Sequence, residues 1–247
     1  MLKKERHSYI IKQLNLHNKV LSSDLSSQLG VSEDTVRRDL IELADEGKLL
    51  KVHGGALSKS FHFTNQANDV YALAPKKEIA RKAVRMLVDG MTILTGGGTT
   101  MLEFAKLIPD HIALTIFTIS PLVALELNEH PNANVILIGG QLSKNSQVSI
   151  GAQAISNLHD IHVDICFLGT NGVCAQNGIT DSDWEVVQVK KAMIRAAKRA
   201  VILSISEKLD SVQSMKVCGI NQISAVITEL PEGDEALEKY SQLSLAN

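Results

Sequence analysis

The sequence predicts a mixed α/β chain in two parts: a winged helix-turn-helix over residues 1–57 and an open, parallel α/β unit over residues 76–247, with 58–75 as linker. Three observations predict it. The 247 residues exceed the usual size of one domain. A serine-led helical pattern carrying Arg37 and Arg38 is followed by the apolar run Leu49–Val52 and a turn at Gly54 and Gly55. From Lys76 onward, short apolar runs alternate with helical patterns, the signature of βαβ units covering a parallel sheet.

Taken in order, Glu5 to Leu16 reads as the first helix, because Ile10, Ile11 and Leu14 recur at helical spacing. Ser22 or Ser23 is expected to cap a second helix ending at Leu29, with Leu25 and Leu29 inward and Gly30 supplying the tight turn. Ser32 then caps the third helix. Within it Val36, Leu40, Leu43 and Ala44 share one face, Thr35, Arg38 and Glu42 lie roughly opposite, and Arg37 sits on the flank. The polar side is left open to a partner.

A helix of this kind enters a major groove N-terminus first, so Ser32, Thr35, Arg37 and Arg38 are candidates for base edges and phosphates, with Ser22 close by. Each bidentate arginine–guanine contact discriminates by about 1–3 kcal/mol. Lys48, Lys51 and His53 on the hairpin are expected to grip the sugar-phosphate backbone. In the competing reading, Arg37 and Arg38 merely pair with Asp34, Glu42 or Asp45 on a solvated face, where such pairs carry little energy. The junction Gly30–Val31–Ser32, one turn earlier, favours the first reading, with double-stranded operator DNA as partner.

At this density the residues resemble the DNA-binding half of the DeoR family of bacterial sugar-metabolism repressors. Arg6, Leu14, Val20, Leu25, Leu29, Val31 and Ser32, the run from Thr35 to Leu40, Leu43, Gly47, Leu49 and the run from His53 to Ala56 stand where that family's pattern puts them. Lys51 occupies a position where arginine is common.

Ser58 to Pro75 lacks periodicity and carries Ser60, Thr64, Asn65, Asn68 and Asp69, hence a linker with room for one short helix, from which Phe61 and Phe63 could pack against either domain. Beyond it the expected elements are a helix from Lys76 to Leu87, strand Thr92 to Thr95, helix Thr100 to Leu107, strand Thr115 to Thr118 and helix Pro121 to Glu129. Strands at Val135 to Ile138, Ile165 to Leu168, Val201 to Ile205 and Ala225 to Thr228 continue the sheet. A long helix is expected from Glu185 to Ala197, and Glu235 to Leu243 could close the chain as an amphipathic helix.

Open sheets of this kind bind ligands beyond the carboxyl ends of their strands. Gly97, Gly98, Thr99 and Thr100 lie between a strand and a helix, where backbone N–H groups and the helix N-terminus can hold an anion. The pattern is neither a Walker loop nor GxGxxG. Ser120, Gly139 with Gly140, Gly169 with Asn171, and Lys208 stand on further strand-end loops that would converge on one crevice. Lys190 and Lys208 are the cations expected to face it, although each could equally be an ordinary solvated lysine.

This part resembles the sensor domain of the same family, whose fold is shared with ribose-5-phosphate isomerase and CoA-transferase-like proteins. Lys76, Asp89–Gly90, Gly98 to Thr100, Thr118, Ser120, Gly139–Gly140, Gly151, Phe167 to Gly169, Gly172, Gly178, Thr180, Lys190, Met193 and Lys208 fall on its pattern. The resemblance implies a repressor tuned by a phosphorylated sugar or related metabolite and working as a homodimer or homotetramer. Three positions depart: Gly96 where the family has Asp, Ile119 where it has Asn, and Ile205 where it has Asp. Each removes a polar group that could orient a hydroxyl-bearing ligand. A less hydroxylated effector, a different pose and a domain that only oligomerises all stay open.

An enzyme is the competing class, since sugar-phosphate isomerisation needs a carboxylate base beside the substrate carbon. The acids nearest Gly169–Val173 are Asp181, Asp183 and Glu185, and no acid pair with a glycine-flanked lysine is visible. No catalytic residue, cofactor or metal is therefore expected; His159 and His162 lack further ligands and read as a surface helix end. Cys166, Cys174 and Cys218 are odd in number without CxxC spacing, which argues against disulfides and zinc and for a cytoplasmic location; Cys166 reads as core and Cys174 as exposed. Trp184 could pack the domain or cover a ligand. No run approaches the roughly 20 apolar residues of a membrane span, so no membrane partner is expected. The net charge of -2 hides an asymmetry: residues 1–59 hold ten bases against eight acids, the remainder 15 against 19. So small an excess leaves the argument to the placement of the bases.

Overall fold

The computed structural model describes residues 1–17, 19–58 and 70–240. They divide into two compact units between Tyr71 and Ala72. Phe61, Phe63 and most of the expected linker lie outside the described residues.

In the smaller unit, helix α1 (Lys3–His17) leads through strand β1 (Lys19–Leu21) into α2 (Ser22–Leu29) and α3 (Glu33–Asp45), followed by the hairpin β2 (Leu49–Val52) and β3 (Gly55–Ser58). Ile10, Leu14, Leu25, Val36, Leu40, Leu43 and Leu49 form its core, so the helical periodicity does place the buried faces. Ser32 caps α3 as expected, its side chain accepting from the Thr35 N–H at 3.3 Å. The cap of α2 differs. Ser22 is the first helical residue, follows an extended Leu21, and makes no side-chain cap; its N–H donates instead to the Gly54 carbonyl at 2.8 Å. This bond ties the start of α2 to the hairpin turn and buries Ser22.

Strand β1 was not foreseen, being only three residues long. It pairs antiparallel with β3, giving the order β1-β3-β2. That pairing explains Gly55: a Cβ there would fall 2.0 Å from the Val20 carbonyl oxygen. Gly54 meets the other demand of the turn, a left-handed φ of +75°.

In the larger unit, α4 (Leu73–Val84) precedes β4 (Thr92–Thr95), α5 (Thr99–Lys106), β5 (Leu114–Thr118), α6 (Pro121–Asn128) and β6 (Ala133–Leu137). After a small hairpin, β7 (Gln141–Leu142) and β8 (Ser149–Ile150), come α7 (Gly151–His159), β9 (Val163–Gly169), β10 (Gly172–Cys174), β11 (Gly178–Asp181), α8 (Trp184–Arg195) and β12 (Ala197–Leu203). Strands β13 (Met215–Cys218) and β14 (Ala225–Ile227) complete it. Six strands form one parallel sheet in the order β14-β12-β9-β4-β5-β6. Strand β9 is almost wholly buried at its centre, as a strand covered by helices on both faces must be.

Three features differ from expectation. Helix α7 received no bounds beyond the helix end read at His159, its apolar positions Ala154, Ile155 and Leu158 being too few to stand out. The second sheet, β10-β11-β13, is antiparallel and carries Cys174 inward, where its thiol donates to Gln176 Oε1 (3.2 Å) and Asn177 Oδ1 (3.3 Å). Cys174 is therefore buried, not exposed. Glu235–Tyr240 forms 3-10 turns rather than an α-helix, and residues 241–247 lie outside the described residues. No helix among the described residues is long and apolar enough to cross a membrane.

Candidate nucleic-acid interface and anion site

Between α3 and the hairpin lies a hollow of about 290 Å³, lined by Ser22, Arg37, Lys51, Val52, His53, Gly54 and Gly55. Four of the residues read from the sequence as DNA-facing thus meet at one place. Arg37 reaches Glu33 and Asp34 only at 3.5 Å, on an exposed surface. Such pairs contribute at most about 1 kcal/mol and exchange readily for a phosphate. Arg38 is exposed and makes no ion pair among the described residues. Ser32 and Thr35 share a hydroxyl hydrogen bond of 2.9 Å at the start of α3, and Lys48 pairs with Glu46 at 2.7 Å; with Arg38, these residues lie outside the lining of the hollow.

One residue of this unit escaped notice. Asp39 is buried, and its carboxylate accepts from Arg6 Nε at 2.8 Å and Arg6 Nη2 at 3.0 Å, with His7 Nε2 at 3.1 Å. Burial alone would push this carboxyl up, but the hydrogen bonds from Arg6 and His7 prevail and hold it below the usual range. The signal was present: Asp39 stands three residues after Val36 and four before Leu43, on the buried face.

In the larger unit the glycine loop after β4 is closely surrounded. A Cβ at Gly97 would lie 2.5 Å from Val148 Cγ1 and 3.3 Å from Ser120, and one at Gly169 would lie 3.7 Å from the Gly97 carbonyl oxygen. Gly97, Ser120 and Gly169 are therefore brought together, with Gly98, Thr99 and Thr100 opening α5 beside them. Gly139 and Gly140 are exposed, and Gly140 abuts Ile150 and Ala154 at the start of α7.

The cations converge as well. Lys190 Nζ donates to the Gly169 carbonyl at 2.7 Å and to Asp181 Oδ2 at 2.5 Å, while Lys208 Nζ donates to the Thr170 carbonyl at 2.9 Å. Asn171 Nδ2 donates to the other oxygen of Asp181 at 2.7 Å, so Asn171 orients the acid rather than facing outward. Burial, seconded by the charges of Lys76 and Lys190 and opposed by Asp181, pushes Lys208 down to about 7. Burial likewise brings Lys76, on α4, to about 8 against the pull of Glu103. Lys76 and Asp181 were not among the expected site residues. Only tertiary contact reveals them, since 132 positions separate Lys76 from Lys208 in the chain. Trp184 is 58% exposed, with Lys191 over its ring at 6.0 Å, and packs no core.

Known proteins share both halves. Residues 6–61 match the profile of the DeoR-like helix-turn-helix domain, and residues 72–230 that of the DeoR C terminal sensor domain. The uncharacterized HTH-type transcriptional regulator YulB of Bacillus subtilis is 33% identical over 247 residues, covering 96% of this chain and 94% of its own. The lactose phosphotransferase system repressor of Staphylococcus epidermidis is 30% identical, covering 98% and 99%. Among solved structures, ribose 5-phosphate isomerase A of Methanocaldococcus jannaschii superimposes with a TM-score of 0.41 at 19% identity, over 54% of this chain and 53% of that one.

Proposed function

Because this chain belongs to the DeoR family and is a DNA-binding transcriptional repressor, we propose that its larger half senses a phosphorylated sugar or related metabolite at Lys76, Lys190 and Lys208. The observation that carries the reading is the approach of the Lys190 and Lys208 ammonium groups to the consecutive carbonyls of Gly169 and Thr170, with Lys76 near enough to depress Lys208. Like charges gathered in a part-buried crevice lower their mutual repulsion by taking up an anion.

In the DNA-binding half, Arg37, Lys51 and His53 grip a phosphate at the hollow while Arg38 reads base edges. Two copies, in a homodimer or homotetramer, set their α3 helices on half-sites one duplex turn apart or a multiple of it. The metabolite changes operator affinity by binding one state of the protein better than the other.

The larger half binds without turnover. Asp181, the acid nearest the lysines, has both oxygens engaged and is not poised as a base. Thermal-shift screening of phosphorylated sugars against the full-length chain tests the reading: a stabilising ligand should emerge whose effect Lys208→Ala abolishes. A screen in which only unphosphorylated compounds stabilise the protein would overturn it.

A further inference from the structure

We propose that Tyr240 is a positioning residue of the anion site, its hydroxyl holding the turn that carries Lys208; the inference rests on the anion-binding reading above and deepens it. Lys208 ends the short 3-10 turn Ser206–Lys208 beyond β12, and a side chain on so short an element keeps its place only if the chain around it is fastened. Asp210, two residues on, has a left-handed φ of +54°. A residue with a Cβ adopts that backbone only where its surroundings impose it.

Tyr240 supplies the constraint. Its side chain is buried in the core of the larger unit, and its hydroxyl accepts from the Asp210 N–H at 3.1 Å. The hydroxyl proton has Asp210 Oδ1 at 3.1 Å and the Val173 carbonyl at 3.2 Å as acceptors. Burial pushes the phenol up to about 12, so that proton stays in place. The other oxygen of Asp210 pairs with Lys239 at 2.8 Å, but both partners are about half exposed and the pair holds little. The buried hydroxyl is the firmer tie.

The contact spans both members of the Lys208 bond. Lys208 Nζ donates to the Thr170 carbonyl; Val173 lies three residues beyond Thr170 and Asp210 two beyond Lys208, so one hydroxyl fixes donor and acceptor relative to each other. The neighbouring chain is tight as well. Val173 bridges Leu209, Ser211 Oγ donates to the Lys208 carbonyl at 2.7 Å, and a Cβ at Gly172 would fall 2.8 Å from the Ser211 carbonyl oxygen. Without the hydroxyl, Asp210 relaxes to a right-handed backbone and the turn rotates. The Lys208 ammonium then leaves Thr170 and the groups whose charges act on it, Lys76, Lys190 and Asp181. A cation that must be repositioned when the anion arrives binds it less tightly.

Competitive acetylation of the full-length chain over a range of pH, read by mass spectrometry with and without inorganic phosphate, follows Lys208 directly. In the wild type Lys208 should titrate near 7, and phosphate should raise that value. Tyr240→Phe, which keeps the ring in the core, should move Lys208 upward by about one unit or more and shrink the effect of phosphate. Asp210→Ala, at an exposed position, should do the same, whereas Lys239→Ala should leave Lys208 as it is in the wild type. An unchanged Lys208 in a folded Tyr240→Phe or Asp210→Ala protein, or an equal shift in Lys239→Ala, would overturn the positioning role and leave the anion site standing. A wild-type Lys208 that titrates as an ordinary lysine would overturn that role too. Phosphate that fails to move the wild-type titration would overturn the anion site itself.

Discussion

Lys190 and Lys208 place their ammonium groups on adjacent carbonyl oxygens, those of Gly169 and Thr170, at 2.7 and 2.9 Å. One approaches from helix α8 and the other from the turn after β12, so the end of β9 is a junction where two elements deliver positive charge. Among the described residues, Lys190 alone of the two has a carboxylate partner at hydrogen-bonding distance, and this inequality governs how the site responds to pH.

The first prediction concerns Lys208. Its folded pKa, about 7, lies below the ordinary lysine value of 10.5. Between those values the unfolded chain binds the extra proton, so unliganded stability should rise as pH rises through that window. Lys208→Met should flatten the rise and stabilise the free protein near pH 7 by about 1 kcal/mol or more. Ligand affinity should run the other way: the ammonium is lost above about 7, and a phosphate ester becomes a dianion only above about 6. Calorimetric titrations from pH 5.5 to 9 should therefore peak between those two limits. Affinity that keeps climbing to pH 9 would refute the role of Lys208.

A second prediction separates the two arginines of α3. Arg38 is exposed and unpaired among the described residues, whereas Arg37 lines the hollow against the hairpin. Arg38→Ala should cost about 1–3 kcal/mol at the operator and narrow the gap between operator and random duplex. Arg37→Ala should weaken both duplexes alike and lower the salt slope by about one. Fluorescence anisotropy at several salt concentrations distinguishes the outcomes, and identical profiles for both variants would contradict the assignment.

These sites differ in how far the chain reveals them. Strand β4 was legible at both ends because glycines and threonines bound a short apolar run, and the inward face of α3 was legible because Val36, Leu40 and Leu43 repeat at helical spacing. Strand β1 was not, since three residues hold no period, and its existence depends on the Val20–Ala56 register. Asp39 was not legible for a different reason. A charged residue reads as solvent-facing until its partner is known, and Arg6 lies 33 positions away. In the larger unit the loops were visible as glycine clusters, but the pairing of Lys190 with Asp181 depends on a sheet, β10-β11-β13, that the periodicity did not announce.

The third prediction tests the close approach at the hairpin. With a Cβ only 2.0 Å from the Val20 carbonyl oxygen, Gly55→Ala forces β3 away from β1 and disturbs the Ser22–Gly54 bond that positions α2. Because the contact is with backbone, no side chain can rotate aside. The substitution should lower stability by about 1–3 kcal/mol and reduce affinity for operator and random duplex together, the hairpin being the element that offers Lys51 and His53. Gly54→Ala meets open space but requires a left-handed backbone, so it should cost less, about 1 kcal/mol. Urea unfolding of the two variants should give that order; the reverse would show that turn geometry, not the β1 contact, dominates.

The fourth prediction follows from the two-point bond between Arg6 and Asp39. It fastens α1 to the buried side of α3, at the residue that follows Arg38. Asp39 is buried but Arg6 keeps access to water, so Asp39→Ala loses the charged hydrogen bonds without stranding a buried cation and should destabilise the smaller unit by about 1–3 kcal/mol. The pH dependence has a definite sign. Arg6 and His7 hold the folded carboxyl below its ordinary value, so its contribution is complete above the unfolded value, near 3.9. It fades as pH falls through the lower, folded value. Wild-type protein should therefore lose stability in acid more steeply than Asp39→Asn, which has no proton to gain. Circular dichroism melts from pH 3 to 7 provide the measurement, and curves that stay parallel to the acid end would show that the pair contributes nothing to folding.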